Sequence, residues 1–300
     1  MDIALLTRGP GLYSTQRLVE AGNDRGHHMA LIDHARCALL LDQRGPNLML
    51  NGRFHEIPDV VIPRIGASVT ALGASVIDQF ELLRVPSTTS AAGLRLARDK
   101  WRCQQFLTGA GIDTPATLMC TDSAEARRCA RTVGNYPLVV KVIEGTHGVG
   151  VSLAQNRYQL ERICQAYLQF QPQVLIQEFI GEADGADIRA FVVGKRIIAA
   201  MERKAMRGEF RANMHLGATA SPVELTATER KLVLQVTSLL DLEVAGIDIL
   251  RSDRGPLIME VNASPGLEGI EGATGIDIAG AIIELAAQKV QIALDKRELS

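Results

Sequence analysis

Residues 244–266 read VAGIDILRSDRGPLIMEVNASPG, and this stretch carries the strongest chemical signal in the chain. It predicts two strands, VAGIDIL and LIMEVN. Asp248 stands between two isoleucines in the first strand. Glu260 and Asn262 lie two positions apart in the second, so both side chains point to one face. An acidic side chain is almost never fully buried unless it is paired or bound to a metal, so the pattern favours a metal site.

Oxygen ligands from carboxylates and an amide suit magnesium, a hard cation that completes its shell from phosphates and water. Glu260 could bridge two such ions, and manganese accepts the same ligands. A set of hydrogen-bonded polar residues at strand ends is the alternative interpretation. The segment then turns sharply through Pro265 and Gly266, which predicts a loop that faces the substrate.

A glycine-rich loop lies upstream, where residues 137–152 read PLVVKVIEGTHGVGVS. Glycines directly after a strand allow backbone N–H groups to approach phosphate oxygens. Their order does not match the dinucleotide fingerprint, and no G-K-[ST] follows for a P-loop. Lys141 ends an otherwise apolar run, and a buried lysine is costly to desolvate unless it meets an anion. A glycine-rich hairpin turn and a lysine that reaches the surface are the alternatives.

The composition describes a soluble globular protein, since 47% of its 300 residues are hydrophobic and 22% are charged. A formal net charge of −2 provides no broad basic field, so we do not expect nucleic acid as a direct partner. No apolar run approaches the roughly 20 residues that cross a bilayer, and the amino terminus does not follow the plan of a signal peptide. We therefore expect a cytoplasmic protein without a membrane partner.

The five cysteines are odd in number and widely spaced, without paired C-x-x-C ligands for zinc. We expect them to be reduced and mostly buried. A catalytic thiol is the alternative, but no cysteine lies in a glycine-rich or polar cluster.

The order of predicted elements divides the chain into two parts. The first third alternates strands and helices, which predicts a parallel α/β domain over residues 1–95, interrupted by a hairpin around a Gly-Pro turn. Residues 90–111, SAAGLRLARDKWRCQQFLTGAG, predict one long helix that ends at glycines. The remainder, residues 96–300, predicts an α+β domain whose last element is a helix from Ile276 onward.

Several of these motifs occur together in one protein family. The strand lysine, GTHGVG, QEFI, DIRAFVVG, and GIDIL followed by MEVNASPG resemble the ATP-grasp superfamily. Over nearly its whole length, from LLTRGPGLYS and VIPRIG through RDK, FRANMH and NASPGLEGIE to TGIDIA, the chain is similar to the RimK proteins, the ribosomal protein S six glutamate ligases. The resemblance implies an ATP-grasp core over about residues 104–287, in two lobes with ATP between them, after an N-terminal parallel α/β (pre-ATP-grasp) domain.

The resemblance also implies roles for individual residues. The implied ATP-binding residues are Lys100, Lys141, Gly145, Thr146, His147, Gly148, Gly150, Gln177, Glu178, Phe179, Ile180, Asp187, Arg211, Ala212 and Asn213. The implied ligands of two magnesium or manganese ions are Asp248, Glu260 and Asn262. Arg211 and Arg203 are the implied catalytic cations near the transferred phosphate. The strand QEFI would meet adenine, and Asp187 would meet the ribose or another part of the nucleotide.

The implied reaction joins a carboxylate to an amine. The carboxylate attacks the γ-phosphate of ATP to give an acyl phosphate, and the amine then displaces phosphate, so the protein needs cations more than a nucleophile. Arg211 would stabilise the tetrahedral oxyanion, and His215 is a weaker candidate for the general base. The family implies L-glutamate as the amine. It also implies that the acceptor is the carboxy terminus of a small-subunit ribosomal protein, or free glutamate in a short poly-glutamate chain. The resemblance further implies a homo-oligomer.

Two alternatives stay open. An ATP-grasp ligase that acts on a small-molecule amino-acid or cofactor precursor would keep the same phosphate and metal residues. A non-catalytic ATP-binding regulatory module is the alternative from another class. The complete set of metal ligands argues against it, because a protein that only binds ATP need not hold two ions at the γ-phosphate. The chain also departs from the family pattern on the acceptor side. It has Arg203-Lys204 where an arginine pair is common, and Leu216-Gly217-Ala218 where an arginine and two glycines are common.

Overall fold

The computed structural model describes residues 1–143, 150–206, 209–212 and 217–298, with residues 297 and 298 through their backbone alone. Its strands are β1 Asp2–Leu6, β2 His28–Ile32, β3 Cys37–Asp42, β4 Gly45–Leu50, β5 Arg53–Phe54, β6 Val60–Pro63, β7 Thr117–Cys120, β8 Leu138–Val142, β9 Val151–Ala154, β10 Val174–Glu178, β11 Ala186–Val193, β12 Arg196–Lys204, β13 Thr219–Pro222, β14 Val244–Ser252 and β15 Gly255–Asn262. Its helices are α1 Tyr13–Asp24, α2 Thr70–Leu82, α3 Ala91–Arg98, α4 Lys100–Gly109, α5 Ser123–Cys129, α6 Arg157–Tyr167, α7 Ala227–Leu239, α8 Glu268–Thr274 and α9 Ile278–Glu298.

The first part of the chain is built on a parallel sheet with the strand order β2-β1-β6, which confirms the alternating pattern of strands and helices. An antiparallel sheet, β3-β4-β5, contains the predicted hairpin. The expected Gly-Pro turn is wrong in detail, because the turn lies at Gln43 and Arg44 and Gly45 begins β4. Pro46 is tolerated in β4 because β5 pairs only with the far end of that strand, which leaves an open edge beside the proline.

The single long helix predicted over residues 90–111 is wrong, because the structure has two helices there, α3 and α4. Asp99 between them has an extended backbone, with φ −85° and ψ 99°. Its side chain accepts a hydrogen bond from the N–H of Arg102, which makes Asp99 the N-cap of α4. The break places Arg98 at the end of one helix and Lys100 at the start of the next, so the RDK sequence forms a corner.

The rest of the chain forms two lobes. The small lobe contains the antiparallel sheet β7-β10-β8-β9 with α5 and α6, and the large lobe contains the antiparallel sheet β13-β12-β11-β14-β15. The sequence did not indicate β13 or α8, which are only four and seven residues long. Among the described helices, none is both long enough and apolar enough to cross a membrane.

The described residues contain three clusters of buried apolar side chains. The small lobe has a cluster of its own. In a second cluster, Ile3 of β1 lies with Phe191 of the large sheet and Ile282 of α9. A third cluster joins Leu6 of β1 to Ile247 of the large sheet. The N-terminal parallel sheet and the large lobe therefore share their cores and pack as one body.

Gly93 tests how tightly α3 packs on the large lobe. A Cβ atom at this position would meet the backbone oxygens of Leu240 and Asp241 at 2.7 and 2.9 Å. We expect Gly93→Ala to lower the free energy of unfolding by about 1–3 kcal/mol, because a packed backbone cannot move aside as a flexible side chain can. Gly109→Ala in α4 is the matched control, since nothing lies within 4 Å of its Cβ position. Denaturant titrations that give both variants the same midpoint would contradict this packing.

Candidate active site

The polar residues of the large sheet lie together on one of its faces. Asp187 of β11 pairs across the sheet with Arg203 of β12, and Arg189 of β11 pairs with Asp248 of β14. Asp248 in turn lies opposite Glu260 of β15. Side chains at directly paired positions point to the same face of a sheet. The strand register therefore collects five charged residues from four adjacent strands.

Four of these residues form a buried cluster of ion pairs. Arg189 binds Asp248 with two parallel hydrogen bonds, from Nε to Oδ1 at 2.7 Å and from Nη2 to Oδ2 at 2.6 Å. Arg203 donates from Nη2 to Oδ2 of Asp248 at 2.9 Å and from Nε to Oδ1 of Asp187 at 2.6 Å. Asp248 is only 1% exposed. These arginines satisfy the buried carboxylate, so the burial that favoured a metal at Asp248 does not by itself require one.

The cluster sets the charges of its two carboxylates differently. Burial alone would raise the pKa of Asp248, but the charges and hydrogen bonds of Arg189 and Arg203 outweigh burial and hold that pKa below its usual range. For Asp187, burial dominates over Arg203 and raises the pKa to about 6. Burial would also lower the pKa of Arg203, but the two aspartates raise it. Asp248 and Arg203 are therefore firmly charged at neutral pH.

Sequence reasoning missed Arg189. It lies two residues after Asp187 in the DIR sequence, and this spacing places both side chains on one face of a strand. That spacing was the available signal. The pairing of Arg189 with Asp248, 59 positions away, depends on strand register and was not available from the sequence.

A cleft that is open to solvent lies between the small lobe and the elements β15 and α4. Four of the predicted site residues line it: Lys100, Lys141, Gln177 and Glu260. The Nζ atom of Lys141 donates to Oε1 of Gln177 at 2.7 Å, and the Nζ atom of Lys100 lies 3.7 Å from Oε1 of Glu260. Burial lowers the pKa of Lys141 to about 8, and the charge of Glu260 opposes this effect. The cleft therefore contains cations at both walls, beside one carboxylate.

The QEFI segment consists of the last two residues of β10, Gln177 and Glu178, and the two residues after it. The side chain of Glu178 faces a lobe contact, where its Oε1 accepts a hydrogen bond from the N–H of Ala116 at 2.7 Å and its carboxylate pairs with Arg254. Phe179 packs edge-on against Phe210, with ring centroids 6.4 Å apart. Ile180 is buried.

The segment around Arg211 contacts the QEFI segment through Phe210. The guanidinium of Arg211 binds Glu209, with Nε to Oε1 at 3.0 Å and Nη2 to Oε2 at 2.7 Å, and lies 5.7 Å from the ring centroid of Phe210. Ala212 is buried beside it in the chain. Gly150 has a φ of +74°, and its backbone oxygen accepts a hydrogen bond from the N–H of Val142. The remaining predicted positions lie outside the described residues: Gly145, Thr146, His147, Gly148, Asn213, His215 and Leu216.

The proposed metal ligands offer oxygen atoms on neighbouring strands. Asp248 accepts three hydrogen bonds from N–H groups. Because a carboxylate has about four lone-pair sites, about one remains for a metal ion. Glu260 lies directly opposite, partly exposed to the cleft. The amide nitrogen of Asn262 is buried without a partner, and exchange of the amide oxygen and nitrogen would place an oxygen there. The residues present fit a hard divalent cation, although within the described ranges no three His, Cys, Asp or Glu side chains form a metal-binding group.

All five cysteines are free thiols, as expected. Burial raises the pKa of Cys103 and of Cys164 to about 12, and the pKa of Cys37 to about 11. These thiols stay protonated at neutral pH, and the thiolate is the nucleophilic form. The arrangement argues against the alternative of a catalytic thiol.

Comparison with known proteins points to one family. The RimK PreATP-grasp domain matches residues 1–94, and the RimK-like ATP-grasp domain matches residues 97–286. A protein of Shewanella sp. (strain W3-18-1) named "Probable alpha-L-glutamate ligase 2" is 47% identical over 290 residues, which cover 97% of this chain and 96% of that protein.

Two solved structures show the same fold. The RimK domain protein ATP-grasp of Sphaerobacter thermophilus DSM 20745 matches with a TM-score of 0.73 at 22% identity, over 96% of this chain and 100% of that chain. The ATP-grasp ligase PsnB, complexed with a phosphomimetic variant of minimal precursor, Mg and ADP, matches with a TM-score of 0.73 at 20% identity, over 96% and 98%.

Removal of Arg203 tests the buried cluster. We expect Arg203→Met to lower the free energy of unfolding by about 3–5 kcal/mol at pH 7, because two buried carboxylates lose a cation. Unpaired buried carboxylates bind protons more readily than unfolded ones, so the penalty should shrink as the pH falls from 7 to 5. Lys204→Met is the control, since its pair with Asp184 is exposed and contributes at most about 1 kcal/mol. A loss of stability in Arg203→Met that does not change with pH would argue against the charge cluster as its cause.

Proposed function

The chain belongs to the RimK-like ATP-grasp family of ligases, and we propose that it joins L-glutamate to a carboxylate through an acyl phosphate. ATP is cleaved to ADP and phosphate in this reaction. The observation that carries the proposal is the cleft in which Lys100, Lys141, Gln177 and Glu260 meet between the two lobes. The name of the Shewanella relative supports glutamate as a substrate.

ATP would lie in this cleft with its phosphates toward the two lysines. PsnB, which has the same fold, is complexed with Mg and ADP, and this supports a magnesium nucleotide here. We assign the metal to Asp248, Glu260 and Asn262, with two magnesium or manganese ions. Bound ions of this kind neutralise the charge that develops on the transferred phosphoryl group.

The protein's own residues divide the remaining work. An oxygen of the acceptor carboxylate attacks the γ-phosphorus, the bond to the β-phosphate oxygen breaks, and ADP leaves. Lys100 and Lys141 bind and orient the phosphates. Arg203 acts as a positioning residue, because Asp187 and Asp248 engage its donors. The amine of glutamate then attacks the acyl carbon, and Arg211 stabilises the oxyanion of the tetrahedral intermediate. The bond from the acyl carbon to the phosphate oxygen breaks, and the leaving phosphate takes up the proton that the nitrogen loses.

For the acceptor, we propose the carboxy terminus of a small-subunit ribosomal protein, with free glutamate as the second choice. The family resemblance supports this acceptor, whereas Lys204 and the 216–218 segment depart from the family pattern on the same side of the site. We further propose a cytoplasmic homo-oligomer, in agreement with the free thiols of the chain.

A product assay tests this function. Purified protein is incubated with ATP, magnesium, labelled glutamate and the candidate ribosomal protein, and product mass is followed alongside ADP release. We expect mass increments of glutamate on the protein and stoichiometric ADP. Glu260→Gln should lower the rate by about 100-fold or more, because a ligand of the catalytic ion is lost. Asp253→Asn, in the turn of the same hairpin, is the matched control and should keep the wild-type rate.

The outcomes separate the acceptors and the rival functions. Glutamate oligomers in the absence of the ribosomal protein would identify free glutamate as the acceptor. An amide formed with a small-molecule acid but never with glutamate would overturn the glutamate assignment. ATP binding without ADP or any amide, for every amino acid tried, would leave only a nucleotide-binding module.

The lowered pKa of Lys141 predicts a pH dependence of ATP binding. Its ammonium is protonated below about pH 8 and neutral above it, and only the protonated form attracts phosphate. We expect the affinity for magnesium ATP to fall between pH 8 and pH 9.5 by up to about tenfold per unit. Lys141→Arg, which stays charged, should bind with little dependence on pH in this range. Calorimetric titrations with the same pH slope for both proteins would exclude Lys141 as the source.

A further inference from the structure

A second pair of cations lies beside the site, where the N-terminal parallel sheet meets the large lobe. Arg64 directly follows β6, and Arg98 is the last residue of α3. The Nη2 atom of Arg64 donates to the backbone oxygen of Pro265 at 2.6 Å, in the loop after β15. The Nη2 atom of Arg98 donates to the backbone oxygen of Ile65. Both guanidiniums are therefore held in place by main-chain oxygens next to the NASPG loop.

Neither arginine has a counterion within the described part of the chain. No Asp or Glu there lies within ion-pair distance of Arg64 or Arg98, and the Nε atom of Arg98 is buried without any partner. The two side chains are neighbours, because Arg98 donates to the backbone oxygen of Ile65, the residue that follows Arg64. Burial, and then the charge of Arg98, lower the pKa of Arg64 to about 10. Glu260 acts on Arg98 only from a longer distance. Half-buried cations without a counterion cost free energy, which a bound anion would recover.

The position of the pair is that of a ligand site. Arg64 lies at the carboxyl end of a parallel strand, the edge at which open α/β sheets bind ligands. The loop facing it is fixed to the N-terminal domain, because the N–H of Leu267 donates to Oγ of Ser14. The same loop contains Ser264, whose buried Oγ has no partner. A ligand here would find two guanidiniums and an unused hydroxyl beside the strand that carries Glu260.

We propose that Arg64 and Arg98 bind a free carboxylate of the incoming amino acid, and this inference rests on the proposed glutamate ligase function. In that reaction the amine of glutamate attacks the acyl carbon, while its α- and γ-carboxylates do not react and keep their charges. Guanidiniums bind carboxylates with paired, charge-assisted hydrogen bonds. Held in this way, glutamate presents its amine toward the cleft beside Glu260. The pair is thus a specificity site for an acidic amino acid, distinct from the cations that bind ATP.

Steady-state kinetics with the full chain test the pair. Arg98→Gln should raise the KM for glutamate by about 10-fold or more, because it removes a charged hydrogen-bond donor. The KM for ATP should stay within about twofold. Arg98→Lys, which keeps the charge but loses the second donor, should lie between. Arg95→Gln is the matched control on the same helix, since Arg95 is exposed and paired with Asp78. Melting curves of each variant establish that it is folded.

The same experiment identifies the carboxylate. If the pair binds the γ-carboxylate, wild type discriminates strongly between glutamate and glutamine and Arg98→Gln does not. If the pair binds the α-carboxylate, wild type discriminates strongly between glutamate and its α-amide, and Arg98→Gln does not. Either result supports the site.

Other results overturn the site, and they differ from a failure of the proposed function. Suppose that the wild-type enzyme forms glutamyl product and that Arg64→Gln and Arg98→Gln leave the KM for glutamate unchanged. This result overturns the proposed site, and the proposed function stands. If these variants raise only the KM for the acceptor, the arginine pair binds the acceptor, and the proposed glutamate site is also overturned. If wild type forms no glutamyl product, the function fails. Calorimetric titration of glutamate into the protein loaded with a non-hydrolysable ATP analogue then decides the site, and equal binding by wild type and Arg98→Gln overturns it.

Discussion

The polar face of the large sheet depends on the ion-pair cluster of Asp187, Arg189, Arg203 and Asp248. Two carboxylates and two guanidiniums from three adjacent strands neutralise each other at low exposure. A net charge buried in this position would be costly, so the four residues constrain one another. Asp248 is consequently held as a carboxylate with a fixed orientation. The cluster prepares one wall of the site before any ligand arrives, which is the usual requirement for electrostatic catalysis.

Much of this architecture follows from local patterns in the sequence. The βαβ alternation predicted the parallel sheet, the period of two placed Glu260 and Asn262 on one face, and the combined motifs indicated the family that the comparisons show. The break at Asp99 was not predictable from periodicity, because the apolar pattern continues across it and a single N-cap decides the outcome. The partners of Asp248 were also beyond reach, since cross-strand register is a property of the folded sheet.

The N-terminal domain packs directly on the large lobe that carries most of the candidate site residues. Its parallel sheet shares buried clusters with the large sheet, and its strand ends face the loop that follows β15. The hydrogen bonds from Arg64 to Pro265 and from Leu267 to Ser14 join residues about 200 and 250 positions apart. The loop after β15 is therefore held by contacts with both halves of the chain.

The contact of Glu178 with Ala116 and Arg254 has a mechanical consequence. It ties the last residue of β10 to the turn between β14 and β15, and so joins the two lobes at one end of the cleft. Lys141 lies three residues along β8 from the partner of Glu178, about 10 Å away at the usual rise of a strand. Any separation of the lobes that keeps this contact would therefore be a rotation about Arg254. Such a rotation would change the distance between Lys141 and Glu260 more than the distance between Glu178 and Arg254.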